Sequence, residues 1–348
     1  MVRNNITQRG DTISLNIQGD FTNAIGNGLF QPVGDISTGE IDYYEYHNPL
    51  SPLIGLNNID IVHERHIDIE ISGKILGENY KEGICSNTLP YVVDKINDMS
   101  GIGITIDDIL TKSVVKKYDS TYNIEVDEKD NIKDYISSLY YSSVGGLKAY
   151  SDDYGEESVI FGKRTQKKQR MIFYDKLKEL QSPKNRTIFT QYKDRYYTDF
   201  QGVLRVENNI ANYSILKRLF EIEKKGGVTL AEIFNSKVNT IKKQLTNFID
   251  VKTSQKVLFK IDDMDSMLGF REAAKRFYIK ELLKTFKGDV PKVQKVIQQK
   301  HFKGDIGEVR KLIKELGVEY KQSLIQKKDR GNYSKKFEEV IDKINQLK

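Results

Sequence analysis

The side chains whose types and spacing could do chemistry are concentrated around one tyrosine. The apolar run Met171-Ile-Phe173 leads directly into Tyr174, and Lys176 follows two residues later. A phenol has an ordinary pKa of about 10, so it attacks a phosphodiester only where a cation or metal stabilises the developing negative charge. At this position Tyr174 could act as a nucleophile, with Lys176 as the cation that stabilises the charge. Because the chain has 20 tyrosines, the triplet alone is more typical of a strand that ends beside a solvated lysine.

Five other side chains have the character of ligands for a hard divalent cation. His66, Asp68 and Glu70 alternate along one predicted strand and so share a face. If Asp119 and Glu207 from other strands converge with them, the oxygen-rich pocket would suit Mg²⁺ or Mn²⁺, which would polarise a bound phosphate. The alternative is that these carboxylates pair with Lys or Arg.

The elements that must position these residues indicate an α+β fold. Short alternating or apolar segments predict strands at 12–17, 59–71, 114–126, 159–161, 171–174 and 203–210, and apolar spacings of three and four predict helices at 89–99 and 132–140. We expect a central, largely antiparallel sheet with flanking helices on one face.

From residue 215 onward the pattern changes to short helices. Two predicted apolar faces lie within 293–297 and 306–316, and a third comprises Phe270, Ala273, Ala274, Phe277, Tyr278, Leu282 and Phe286. We therefore predict a catalytic domain over 1–214 and a smaller, basic, all-helical domain over 215–348. The helices could place one of their number in a DNA groove, or they could form an ordinary bundle.

The predicted domains carry net charges of opposite sign. Residues 1–214 carry 24 Lys and Arg against 31 Asp and Glu, whereas 215–348 carry 31 against 18. A basic half is typical of a polyanion partner, although Lys-rich helices can also be simply solvated.

With Cys85 as the single cysteine, a disulfide or a cysteine-rich metal site within the chain is excluded. No apolar run reaches the ~20 residues of a membrane span and no secretory pattern opens the chain, so we expect a cytoplasmic protein without a membrane partner.

Several separated segments occur in the order found in one family. They are His66-Ile-Asp-Ile-Glu-Ile-Ser72 with Lys74-Ile-Leu-Gly77, Val114 to Asn123 around Asp119, Tyr174 to Leu180, Leu204-Arg-Val-Glu207, and Gln299-Lys-His-Phe302. Each is loose alone, but the ordered set resembles the gene II/X family of phage and plasmid replication proteins.

The resemblance implies a metal-dependent rolling-circle initiator that nicks one strand of an origin. Tyr174 would become linked to the 5′-phosphate, leaving a 3′-hydroxyl that primes synthesis, and the strand would later be rejoined. The implied partners are single-stranded and supercoiled origin DNA with a host helicase and polymerase, in the cytoplasm of a bacterial host cell. Candidate DNA contacts are Lys163, Arg164, Lys167, Lys168 and Arg170, which immediately precede the tyrosine, and Arg205.

One departure from related initiators concerns histidine. Many of them place two histidines around one hydrophobic residue on a strand, whereas this chain has His63-Glu-Arg-His66, whose rings would lie on opposite faces of a strand. Two other functions also stay open. The basic C-terminal half equally fits a non-catalytic DNA-binding replication or regulatory protein, and the carboxylates fit a metal-dependent nuclease that uses water and forms no adduct.

Overall fold

The computed structural model describes residues 7–142, 149–150, 157–162, 169–248, 270–299, 306–323 and 330–347. It divides the chain into two compact units. The first comprises Met1–Asp130, Lys167–Gln244 and Asn345–Lys348, and the second comprises Asn131–Gln166 and Leu245–Ile344. These bounds differ from the predicted division at residue 214, because each unit takes in a segment that interrupts the other.

The first unit is built on a large antiparallel sheet, which together with its helices confirms the predicted α+β class. Its strands lie in the order β2-β3-β4-β5-β1-β6-β10-β9, and their hydrogen-bonded pairs are antiparallel. The strands of the chain are β1 Gly10–Gln18, β2 Phe30–Asp35, β3 Glu40–Tyr46, β4 Leu56–Val62, β5 His66–Ser72, β6 Ser113–Glu125, β7 Ala149–Tyr150, β8 Ser158–Phe161, β9 Gln169–Asp175 and β10 Val203–Ile210.

Helices fill the segments between the strands and form most of the rest of the described chain. They are α1 Thr22–Ile25, α2 Leu89–Ser100, α3 Ile132–Ser142, α4 Lys176–Leu180, α5 Arg186–Gln191, α6 Lys193–Phe200, α7 Tyr213–Phe220, α8 Leu230–Asn235, α9 Thr240–Phe248, α10 Phe270–Thr285, α11 Val290–Gln299, α12 Ile306–Ser323 and α13 Arg330–Gln346. None of the helices in the described ranges is long and apolar enough to cross a membrane.

Alternation along the central strands separates an apolar face from a polar one. The isoleucines and leucine of β1 and β5 are buried in one core with the apolar side of α2, as the period of two predicts. The polar residues between them lie on the opposite face of the sheet. Residues that could do chemistry therefore share one side of the sheet, while the other side stabilises the fold.

The predicted strand over 59–71 is instead a hairpin. The chain turns between β4 and β5, where His63 and Glu64 adopt left-handed φ angles of 49° and 59°. The sequence marks this turn locally, because the polar run His63-Glu-Arg interrupts the alternation of apolar residues along the strands. His63 thus lies in a turn and not on the strand that carries His66.

The first unit extends beyond the predicted boundary because α7 and α8 complete its core. Leu216, Leu219 and Phe220 of α7 are buried with the sheet, as are Leu230 and Ile233 of α8. An amphipathic helix is stable only where its apolar face is covered, and here the sheet covers it. These helices therefore belong to the sheet unit.

The second unit is mainly helical, as predicted for the C-terminal part of the chain, but it also includes α3 and the antiparallel pair β7–β8. Its α10–α12 core is formed by Ile279, Leu283, Val290, Val293, Ile297, Val309, Leu312, Ile313 and Leu316. The predicted faces of α11 and α12 are confirmed. The predicted face of α10 is wrong at two positions, since Phe277 is 66% exposed and Tyr278 42% exposed, whereas Leu282 and Phe286 of the same face pack against this core. In α10 the face that packs is the one with Ile279 and Leu283.

Candidate active site

Tyr174 lies near the end of β9 and faces the polar side of the sheet. It stands opposite Arg205 in the β9–β10 register, so Glu207 is its diagonal neighbour on the adjacent strand. Long side chains at such diagonal positions can meet. The Tyr174 hydroxyl donates a hydrogen bond to Glu207 Oε1, which places a carboxylate at the atom that would act as nucleophile.

Lys176 begins α4, whose N-terminus is capped by the Asp175 carboxylate accepting from the Lys178 amide. The lysine side chain is 1% exposed. Its Nζ donates to Glu179 Oε2 at 2.9 Å and to the Tyr174 hydroxyl at 3.4 Å. The structure therefore brings the predicted nucleophile and its predicted charge partner together, in an ammonium site shielded from bulk water.

Glu179 balances the charge of this buried lysine. Burial alone would raise its pKa, but the charge of Lys176 and hydrogen bonds from Lys176 and Asn185 lower the pKa of Glu179 to about 2. Lys184 contributes further, at 3.4 Å from the same carboxylate. Glu179 is thus ionised at all ordinary pH values and lies as a counter-charge beside the Lys176 ammonium.

The Glu207 carboxyl and the Tyr174 hydroxyl form a buried, hydrogen-bonded pair. Burial first, and then the charge of Asp11, raise the pKa of Glu207 to about 7, with Lys176 and Arg205 opposing the rise. Burial and the Glu207 charge hold the pKa of Tyr174 well above its usual value. Near neutral pH the proton therefore stays on the phenol, beside a carboxylate poised to accept it.

Arg205, predicted to contact DNA, is buried in the structure. Its side chain is 1% exposed, which leaves it no access to a DNA phosphate. Its guanidinium donates to Asp11 Oδ1 at 2.7 Å and to Asn123 Oδ1 at 2.9 Å. Arg205 is an internal cation of the site, and its partner Asp11 was missed because one aspartate at the start of a strand carries no signal in the sequence.

The five predicted metal ligands do not form one cluster. Among the described residues, no group of three or more His, Cys, Asp or Glu is arranged to hold a metal ion. Asp68 is paired with Lys116 at 2.6 Å and accepts from Asn16 at 2.7 Å. His66, at the start of β5, pairs in register with Gln18.

Glu70 and Asp119 face a common cation. The Lys117 ammonium lies 3.5 Å from Glu70 Oε2 and 3.5 Å from Asp119 Oδ2. Burial raises the pKa of Asp119 to about 6, against the charge of Lys117. The alternative of carboxylates paired with lysine therefore describes Asp68, Glu70 and Asp119, while Glu207 is the predicted ligand that lies at the tyrosine.

The predicted DNA-contact segment is only partly described. Lys163, Arg164, Lys167 and Lys168 lie outside the described residues. Arg170 is partly exposed on β9, opposite Asn209 of β10, and its buried Nε has no hydrogen-bond partner in the part of the chain that the structure describes.

Comparison with known proteins bears on this site directly. Residues 104–225 match the family model that describes the N-terminal region of the replication-associated gene II protein. The matched segment carries Asp119, Tyr174, Lys176, Arg205 and Glu207, whereas Asp11 lies before it. No curated protein and no solved structure gave a significant match. Over the segment that carries the tyrosine, the lysine and the glutamate of the site, the chain is thus similar to phage gene II-type replication proteins, the family that its ordered motifs resemble.

Proposed function

We propose that this chain initiates rolling-circle replication by nicking one DNA strand with Tyr174 and later rejoining it. The observation that carries the proposal is the contact of one phenol with both a base and a cation. The Tyr174 hydroxyl donates to Glu207 and accepts from Lys176 Nζ at 3.4 Å. A tyrosine that only packed at a strand end would need neither partner.

The first step is a transesterification. As the Tyr174 oxygen forms a bond to phosphorus, its proton passes to the Glu207 carboxylate, and the bond between phosphorus and the 3′ oxygen breaks. The leaving oxygen takes a proton from water and becomes a free 3′-hydroxyl. The products are a 5′-phosphotyrosine and a primer end, with no bond energy lost to hydrolysis.

Lys176 supplies the electrostatic part of the reaction. Its ammonium is buried and lies 3.4 Å from the Tyr174 hydroxyl, so its attraction for negative charge that develops on the phenol oxygen is weakly screened. Rejoining is the same reaction in reverse, in which a 3′-hydroxyl attacks the phosphotyrosine and Glu207 returns the proton to Tyr174.

The family match supports DNA as the polymer acted upon. Single-stranded and supercoiled origin DNA, with a host helicase and polymerase, are the partners we propose. Dependence on Mg²⁺ or Mn²⁺ stays a prediction from the resemblance, because the five predicted ligands do not form one cluster and the steps described use groups of the chain alone.

The test is a search for a covalent protein–DNA adduct. The full chain is incubated with single-stranded and supercoiled DNA carrying the candidate origin of its own genome, with Mg²⁺ or Mn²⁺ present. A denaturation-resistant adduct mapped to Tyr174 by mass spectrometry is expected, and Tyr174→Phe should abolish it while keeping DNA binding.

A matched control is Tyr197→Phe, which removes a hydroxyl from a partly exposed tyrosine in the same unit and should leave adduct yield unchanged. Nicking without an adduct would identify water as the nucleophile, and tight binding without nicking would favour a non-catalytic protein. Either result would overturn the proposal.

A further inference from the structure

A second phenol lies beside the nucleophile, and the proposed nicking step does not use it. Tyr80 is part of the 3₁₀ segment Gly73–Glu82, which follows β5. It is 1% exposed, and its ring packs against Tyr196 and Phe200 with centroids 6.1 Å and 5.9 Å away. A phenol so enclosed has no route to DNA and cannot be a second nucleophile.

The Tyr80 hydroxyl connects the two charged parts of the site. It donates to Asp11 Oδ1 at 3.0 Å and accepts from Lys176 Nζ at 2.8 Å. Asp11 is itself held by the Arg205 guanidinium at 2.7 Å. Because the Tyr80 proton is committed to Asp11, a lone pair of its oxygen faces Lys176, and the direction of the contact is determined.

We propose that Tyr80 is a positioning residue for nicking, which holds Lys176 so that one of its N–H groups points at the Tyr174 oxygen. The proposal rests on the function proposed for Tyr174. An ammonium has three donors, and Lys176 has three acceptors in Tyr80, Glu179 and Tyr174. The ammonium also lies 4.6 Å from the centroid of the Tyr80 ring, where the face of the ring attracts it.

Removal of the Tyr80 hydroxyl leaves Lys176 with unequal partners. Glu179 is charged and lies 2.9 Å away, whereas Tyr174 is neutral and 3.4 Å away. The ammonium is therefore expected to move towards Glu179 and away from the phenol. Displacement of a catalytic group by about 1 Å can cost about 100-fold in rate.

The experiment compares Tyr80→Phe with Tyr196→Phe. Tyr196 is a matched control because it is buried in the same aromatic cluster and its hydroxyl donates at 2.9 Å to the Gly77 carbonyl, outside the site. Single-turnover adduct formation on single-stranded origin DNA is expected to slow by roughly 10- to 100-fold in Tyr80→Phe. It should be unchanged in Tyr196→Phe, and DNA affinity should be unchanged in both.

A double-mutant cycle separates positioning from a general structural role. In a Lys176→Met background, Tyr80→Phe should cause no further loss, because the group it positions is absent. A merely structural residue would lower the rate by the same factor in both backgrounds, and that result would overturn the proposal. Equal rates of Tyr80→Phe and wild type would overturn it as well.

Asp11→Asn provides a second variant in case Tyr80→Phe fails to fold. It keeps the Tyr80 hydroxyl but removes the charge that orients its proton, so adduct formation should again slow, and a wild-type rate would contradict the inference. Tyr174→Phe, run in parallel, keeps the two proposals distinct. If it still forms adduct the proposed function fails, whereas its inactivity beside a fully active Tyr80→Phe would reject the positioning role alone.

Discussion

Replacement of Glu207 by glutamine should lower activity and raise stability. Both effects follow from the burial of this carboxyl, which raises its pKa. Glu207 is buried, and its pKa rises from an ordinary 4.5 to about 7. With such a pKa, about one tenth of the carboxyl is ionised at pH 6 and about nine tenths at pH 8. The ionised form is the one that can accept the Tyr174 proton.

Adduct formation by the wild-type protein should therefore rise about tenfold per pH unit below pH 7 and level off above it. Glu207→Gln should reduce the plateau rate by about 100-fold or more and remove the rise centred near pH 7. The assay measures the rate of single-turnover adduct formation from pH 5.5 to 9, with the amount of protein–DNA adduct quantified on denaturing gels.

The stability effect has the opposite sign. As pH rises, the carboxyl ionises near 4.5 in the unfolded chain but only near 7 in the folded one, so the unfolded state binds fewer protons between these values. Wild-type stability should fall by roughly 3 kcal/mol across that window and stay level above it. The glutamine amide is neutral, so Glu207→Gln should be more stable than wild type by roughly the same amount at pH 8 and about equal to it near pH 4.5.

Urea unfolding at pH 4.5 and pH 8 measures this difference. Glu125→Gln is the control, because Glu125 lies on the surface with a side chain 65% exposed and should show neither effect. A wild-type rate in Glu207→Gln, or an unchanged rise near pH 7, would refute the role of Glu207 as base. If Glu207→Gln were less stable than wild type at pH 8, the result would refute the argument that burial of the ionised Glu207 carboxylate destabilises the fold.

Two further predictions concern the interior of the sheet unit. Arg205→Met should destabilise the unit by about 3–5 kcal/mol in urea unfolding, because it leaves the Asp11 carboxylate without its buried partner. Normal stability, together with a reduced salt dependence of DNA binding, would instead identify Arg205 as a DNA contact. Phe220→Ala should cost about 3–5 kcal/mol and weaken hydrogen-exchange protection in β6, since the ring packs 5.6 Å from that of Tyr118. Unchanged protection in β6 would place α7 in a separate domain.

The sequence alone was sufficient for what depends on local pattern. Period-two alternation predicts the apolar and polar sides of β1, β5 and β10, and helical spacing predicts α2, α11 and α12. The run from Met171 to Tyr174 places the tyrosine near the end of a strand, and Lys176 follows within reach whatever the rest of the chain does. These features depend on residues a few positions apart, which local backbone geometry keeps together.

The tertiary structure decided which distant side chains meet. Asp11 and Arg205 are 194 positions apart, and Tyr80 and Lys176 are 96 apart. Their contacts follow from the order and register of the strands, which no local period encodes. Register likewise puts Glu207 at the Tyr174 hydroxyl. It also places Lys117 within reach of Glu70. The sequence was therefore enough to single out Tyr174 as a candidate, but the fold determined which carboxylate lies at its hydroxyl.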